Sequence, residues 1–220
     1  MRYEHTDQSG NKIDLPVGKV VCVGRNYMLH IQELNNEVPK QPLLFMKPAT
    51  ALCPVTENVV IPKNLGECHN ELEVAVLINQ KLTSATAAQA LTAIWGVGLG
   101  LDLTLRDVQS QLKNKGQPWE RAKAFDDSCP MSHFIPLDQI KNLTDIDFKL
   151  TVNGETRQEG NTRDMMFPIL ELIIDITKQF TLLPGDIVMT GTPKGVAALK
   201  TGEQLTLELT DKFTVTTQII

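Results

Sequence analysis

The sequence predicts an α+β fold that is mostly β, a mixed sandwich or roll, and three observations carry that expectation. Strand-like apolar runs recur at 18–24, 42–46, 58–62, 71–78 and 94–103. Two later stretches, FKLTVNGETRQEG (148–160) and LTLELTDKFTVTTQII (205–220), alternate apolar and polar residues around turn residues, as antiparallel hairpins do. Helical periods at 26–35, 84–93, 103–115 and 166–180 are scattered among the strands and set up no strand-helix-strand rhythm, which argues against a doubly wound parallel sheet.

Each element has a local reason. Asn153 and Gly154 supply the φ > 0 pair that a two-residue hairpin turn needs, and Asp211 with Lys212 marks the second turn. Thr104 and Asp107 have capping-box spacing, which predicts a strand ending near Asp102 and a helix starting directly after it. No repeat and no low-complexity block divides the chain, so residues 1–220 are expected to form one catalytic domain, with 1–17 as an N-terminal arm or edge strand.

Composition narrows the function. At 220 residues the chain can bury roughly 70 to 75% of its unfolded surface. Its 42% apolar and 21% charged content is that of an ordinary globular protein. A net charge of −5 without a Lys/Arg run excludes nucleic acid and anionic membranes as main partners. Cys22, Cys53, Cys68 and Cys129 lie far apart without CxxC spacing, which suits a reducing cytoplasm and indicates neither a zinc ribbon nor a disulfide framework. The longest near-apolar run, 90–101, is too short to span a bilayer, and residues 1–12 have no signal-peptide core.

The stretch HNELEVAVLI (69–78) is unusual. Glu71 and Glu73 share a strand face with Ala75 and Leu77, while Leu72, Val74, Val76 and Ile78 take the other, so both faces call for a dry environment. The two Cα atoms would sit about 7 Å apart. Charges about 5 Å apart at an effective dielectric near 20 repel by roughly 3 kcal/mol. Protonation of one carboxylate, pairing with Lys or Arg, or a divalent cation could each offset this. Asp102, at the end of the apolar run VGLGLDL, adds a third awkward carboxylate and tips the balance toward a metal. An oxygen-only set suits Mg²⁺, Mn²⁺ or Ca²⁺ and leaves positions open for water and substrate. His30 and Glu33, at i,i+3 on a helical stretch, either orient an imidazole as a general base or form a solvated surface pair. GDIVMTGTPKGV (185–196) reads as a strand and a Gly/Pro turn able to offer N–H groups to an anion, and it is not a Walker A loop.

GRNYxxHxxE (24–33), the ExE strand with its preceding His69, LDLTLRDVQ (101–109), AKAFDDSCP (122–130) and GTPKGV, in this order from about residue 18 onward, together resemble the fumarylacetoacetate hydrolase family, closest to its acylpyruvase-type branch. The separate N-terminal domain of fumarylacetoacetase has no counterpart here, which makes that enzyme's own substrate a poorer fit. The resemblance implies the β-roll of the fumarylacetoacetase C-terminal domain, a homodimer, and Mg²⁺ or Mn²⁺ held by Glu71, Glu73 and Asp102. It also implies a water-activating dyad of His30 and Glu33 on a segment that orders over the substrate, and Lys123 polarising a substrate oxygen. Arg25, Arg106, Gln109 and Thr192 would be substrate contacts, and Lys47 would have a structural or rim role. The activity implied first is metal-dependent cleavage of acylpyruvates to pyruvate and a carboxylic acid. Decarboxylation of oxaloacetate-like acids or keto-enol isomerisation comes second, and a metal-stabilised binding protein third.

Overall fold

The computed structural model describes residues 3–220. Along the chain run β1 (Val20–Gly24), α1 (Met28–Glu33), β2 (Leu43–Lys47), β3 (Leu52–Pro54), β4 (Cys68–His69), β5 (Leu72–Ile78), α2 (Ala87–Thr92), β6 (Ile94–Leu101), β7 (Thr104–Leu105) and α3 (Arg106–Asn114). Then come α4 (Glu120–Lys123), β8 (Cys129–Met131), β9 (Ile135–Pro136), β10 (Asp147–Val152), β11 (Glu155–Asn161), α5 (Ile169–Gln179), β12 (Ile187–Met189), β13 (Gln204–Leu209) and β14 (Phe213–Gln218). The main sheet has the order β2-β1-β12-β5-β6-β8-β3, with β9 added on β6. It is mixed, because β1 runs parallel to β12 and β3 to β8 while the other pairs are antiparallel. A second, antiparallel sheet has the order β11-β10-β13-β14.

Both faces of β5 are dry, as its composition requires. Leu72, Val74, Val76 and Ile78 enter a large core shared with Phe148, Leu150 and Leu207 of the second sheet and with Leu172 and Ile176 of α5. Ala75 and Leu77 enter a smaller core with Val20, Cys22, Ile187 and Met189. The hairpin at β10 and β11 turns at Asn153 and Gly154, whose φ values of 51° and 84° are those the sequence required.

Two local expectations fail. NVVIP (58–62) forms no strand: it lies along the last few residues of the chain and makes a single parallel bridge there, between Val59 and Ile219. Thr104 is not a helix cap: its backbone pairs with His69 in the two-stranded β4-β7 ladder, and its hydroxyl donates to the Asp102 carbonyl at 3.0 Å. Asp107 instead accepts from the Glu67 amide. The capping box lies at α2, where the Thr86 hydroxyl accepts from the Gln89 amide and the Gln89 side chain accepts from the Thr86 amide.

Ahead of β1, isolated bridges join Thr6 to Lys12 and Asp7 to Phe134. Tyr3 and Ile13 plug the smaller core, and His5 is fully buried beneath them. The His5 Nε2–H donates to the Pro16 and Gly185 carbonyls, each at 3.1 Å, and its Nδ1 accepts from the Tyr3 hydroxyl. Burial lowers the His5 pKa below 6.5, although both carbonyl bonds act in the opposite direction. The unfolded chain therefore takes up the proton first as pH falls. Stability is complete above about pH 6.5 and declines toward the lower folded-state value. We expect His5→Ala to lower unfolding stability at pH 7.5 by about 2 kcal/mol, the scale of buried polar groups left unpaired. Its stability should also lose the His5 part of the slope below pH 6.5. Denaturant titrations at several pH values measure both, and parallel curves for the two proteins would exclude this role.

Candidate metal centre and active site

The end of β5 and the end of β6 meet where the Asp102 amide donates to the Glu71 carbonyl at 2.8 Å, which brings three carboxylates together. Glu71, Glu73 and Asp102 are 5%, 1% and 1% exposed, and one oxygen from each lies within 4.8 Å of the others. Each is compensated from a different segment. Lys123, the last residue of α4, donates to Glu71 at 2.7 Å and to Asp102 at 2.5 Å. Arg106, the first residue of α3, donates to the other Glu71 oxygen at 2.5 Å and to the Gln109 side-chain oxygen at 2.6 Å. Its Nε also points to the His69 Nδ1. The Glu73 carboxyl accepts from the Gly191 amide at 2.7 Å. Gly191 has φ +96°, and a Cβ there would come within 2.7 Å of the Asn26 Cβ, so glycine is required to aim this N–H inward.

These contacts set the charge states. Burial pushes the Glu71 carboxyl up, but the Lys123 ammonium, Arg106 and His30 outweigh it and hold it well below the usual carboxylate range. Burial, and then the neighbouring Asp102, push Glu73 well above that range. Burial disfavours the Lys123 ammonium, yet Asp102 and Glu71 raise its pKa above that of a free lysine.

Of the structural or rim role expected for Lys47, the structure shows the structural one. Lys47 is not at the rim: it is fully buried, with Nζ 2.8 Å from the Asp102 Oδ1 and hydrogen bonds to the Lys123 carbonyl and to Ser128. Nothing in FMKP signals this, because its partner Asp102 is distant in sequence.

His30 is nearly buried on α1, with Nδ1 3.5 Å from Glu33. Glu33 also accepts from the Gly195 amide at 3.0 Å, so the anion that the GTPKGV turn receives is one of the protein's own carboxylates. Burial lowers the His30 pKa below 6.5, against the pull of Glu71 and Glu33. A cavity of about 30 Å³ collects Arg25, His30, Glu71, Arg106, Gln109 and Lys123. Thr192 does not line it. Its hydroxyl donates to the Leu72 carbonyl and accepts from Gln158.

The donor set fits a hard divalent cation. All three carboxylates offer oxygens within 4.8 Å of one another, and Glu73 has a single N–H partner for a carboxyl that is almost wholly buried.

The sequence pattern of the fumarylacetoacetate hydrolase C-terminal domain matches residues 19–220. The chain belongs to the fumarylacetoacetate hydrolase family. As a family member it is 49% identical to the oxaloacetate tautomerase YcgM of Escherichia coli, over 99% of this chain and 100% of the relative. A family protein from Yersinia pestis superposes with a TM-score of 0.97 at 50% identity, covering 99% and 100% of the two chains. Fumarylpyruvate hydrolase from Pseudomonas aeruginosa, solved with Mn²⁺ and pyruvate, superposes with a TM-score of 0.93 at 32% identity, covering 100% and 96%. Among the described residues, no helix is long and apolar enough to cross a membrane.

Two variants test the charge arrangement. Glu73→Gln reproduces a protonated carboxyl, so metal-free stability should stay within about 1 kcal/mol of the parent while Mn²⁺ binding falls at least tenfold in calorimetric titration. Unaltered Mn²⁺ affinity would remove Glu73 from the ligand set. Lys47→Met leaves Asp102 short of a counter-charge and should lower metal-free stability by about 3 to 5 kcal/mol. Added Mn²⁺ should raise the melting temperature of this variant more than that of the parent, and an equal rise in both would count against the pairing.

Proposed function

We propose that this chain is a divalent-metal-dependent enzyme of small 2-oxo acids whose main reaction is keto-enol tautomerisation of oxaloacetate. The observation that carries the reading is that a persistent ammonium, Lys123, and an imidazole with a lowered pKa, His30, line the same small cavity beside the carboxylate triad. The 49% identity to a tautomerase named for oxaloacetate supports the choice of substrate.

Tautomerisation moves a proton between C3 and the oxygen on C2, so it needs an acceptor near carbon and a donor near oxygen. His30 is neutral at pH 7, and Glu33 fixes its orientation through Nδ1, which leaves Nε2 to take the C3 proton. Lys123 is held charged by Glu71 and Asp102, so it steadies the C2 oxygen by a hydrogen bond and is not a base, and the proton that His30 took from C3 passes on to that oxygen, directly or through water. Arg106, steadied by Gln109 and His69, adds positive charge on the same side. Glu71, Glu73 and Asp102 would hold Mg²⁺ or Mn²⁺, which when bound supplies Lewis-acid stabilisation of negative charge on the acid's oxygens.

Acylpyruvate hydrolysis, placed first on the sequence alone, becomes the second reading. It is favoured by the His30–Glu33 pair, which could take a proton from water as readily as from carbon, and by the likeness to the fumarylpyruvate hydrolase structure. A homodimer and a cytoplasmic location belong to the same proposal. The first rests on the family resemblance and is tested by sedimentation velocity, and the second rests on four well-separated cysteines, all free.

Following the enol absorbance of oxaloacetate and pyruvate release from acetylpyruvate separates the readings. We expect the Mn²⁺-loaded protein to speed oxaloacetate tautomerisation and His30→Ala to lower that rate on the order of 10² or more. The parent rate should be level near pH 7 and fall at acid pH as His30, with its pKa below 6.5, becomes protonated. If the parent cleaves acetylpyruvate while leaving oxaloacetate at its spontaneous rate, hydrolysis takes first place.

A further inference from the structure

Two cations on the cavity have no task in the proton transfer. Arg25 follows β1 on left-handed backbone with φ 58°, and its guanidinium donates only to the Glu37 carbonyl, at 3.3 Å. Lys113, in the last turn of α3, donates to the Asn36 side-chain oxygen at 2.8 Å. Both line the cavity that holds His30, Glu71, Arg106 and Lys123. Lys123 has two carboxylate partners and Arg106 has one. Among the described residues, no carboxylate lies within ion-pair distance of Arg25 or Lys113.

Their placement follows from helix geometry. Arg106, Gln109 and Lys113 stand at i, i+3 and i+7 on α3, so they share one face, with Arg106 at the carboxylate triad and Lys113 about 10 Å further along the axis. The inner end of this ladder is neutralised by Glu71. The outer end is not. Burial, followed by the like charges of Arg25 and Arg106, lowers the Lys113 pKa, so the cations are close enough to be felt by one another. Unpaired like charges around one partly dry cavity form a receptor for an anion.

We propose that Arg25 and Lys113 form a second carboxylate subsite, which selects short 2-oxo acids that carry a carboxylate at the far end over those that end in a neutral group. The inference rests on the 2-oxo acid reading above and deepens it. The acid's first carboxylate and keto oxygen lie at the Lys123 end, and the distal carboxylate reaches Lys113 and the Arg25 guanidinium, which is able to bind it with two parallel N–H donors. An acylpyruvate with a methyl tail leaves both cations unpaired and forgoes that contact.

The test uses Lys113→Met, which keeps the stem and removes the charge, with Lys113→Arg as the conservative partner. The probes are oxaloacetate for tautomerisation and pyruvate, which lacks the second carboxylate, for calorimetric binding to the Mn²⁺-loaded protein. We expect Lys113→Met to raise the KM for oxaloacetate about tenfold or more, the scale of one charge-assisted hydrogen bond, with kcat nearly unchanged. Pyruvate affinity should stay at the parent level, Lys113→Arg should recover most of the KM, and adding Arg25→Met should raise it again. An unchanged KM overturns the subsite, and so does an equal loss of pyruvate affinity. If the parent ignores oxaloacetate and cleaves diketo acids, the tautomerase reading fails, and the subsite is judged on fumarylpyruvate against acetylpyruvate. A preference for the carboxylate-ended acid that Lys113→Met abolishes supports it, and equal use of both overturns it.

Discussion

Three carboxylates packed within 4.8 Å of one another and almost sealed from water are the interaction to which the rest of the molecule answers. Of the three remedies available to such a cluster, the protein uses two without any metal. Lys123, Arg106 and Lys47 bring positive charge to Glu71 and Asp102, and Glu73 is driven toward its protonated form. The third remedy, a cation, would find one oxygen from each of the three carboxylates close enough to share it. The compensating groups come from β2, α3, α4 and the turn after β12, so four segments distant in sequence are tied to the ends of β5 and β6.

This division of labour suits a family whose members are named for different reactions, tautomerase, hydrolase and isomerase among them. In the function proposed above, groups fixed at strand ends and short helix termini would stabilise charge on a 2-oxo acid. The proton transfer would fall to His30 on α1, and recognition of the far end of the acid to one face of α3. His30 and Lys113 make no hydrogen bond to the triad, and His30 acts on it only through its charge beside Glu71.

How much of this the sequence disclosed depends on how local each signal was. The carboxylates were legible because Glu71 and Glu73 interrupt an apolar alternation, and Asn153-Gly154 because its turn chemistry is complete within two residues. His30 with Glu33 was legible as an i,i+3 pair, and Arg106 with Gln109 only through the family resemblance; of these four, His30, Arg106 and Gln109 line the cavity. The pairing of Lys47 was not legible, since a lysine at a strand end usually extends its stem to water and only the tertiary fold sets it against Asp102. Lys113 sits in the polar run LKNKGQ, which reads as an ordinary solvated helix end. The false cap at Thr104 and the absent strand at 58–62 have this in common: local spacing did not show what lay alongside, a two-residue ladder in one case and the chain's last residues in the other.

Helix α1 has only six residues, lies between left-handed backbone at Arg25 and Asn35, and is latched to the body of the protein through Glu33 and the Gly195 amide. A helix this short has no stability of its own in water, so it persists only while docked. Its opening is therefore a sub-global event, with a free energy set by a few contacts and independent of the sheets beneath. His30 on α1 and Leu34 just after it form part of the wall of the small cavity, so detachment of α1 would widen the cavity on that side. For the enzyme proposed above, the docking of that single turn and a half then becomes a step of substrate exchange separate from the proton transfer.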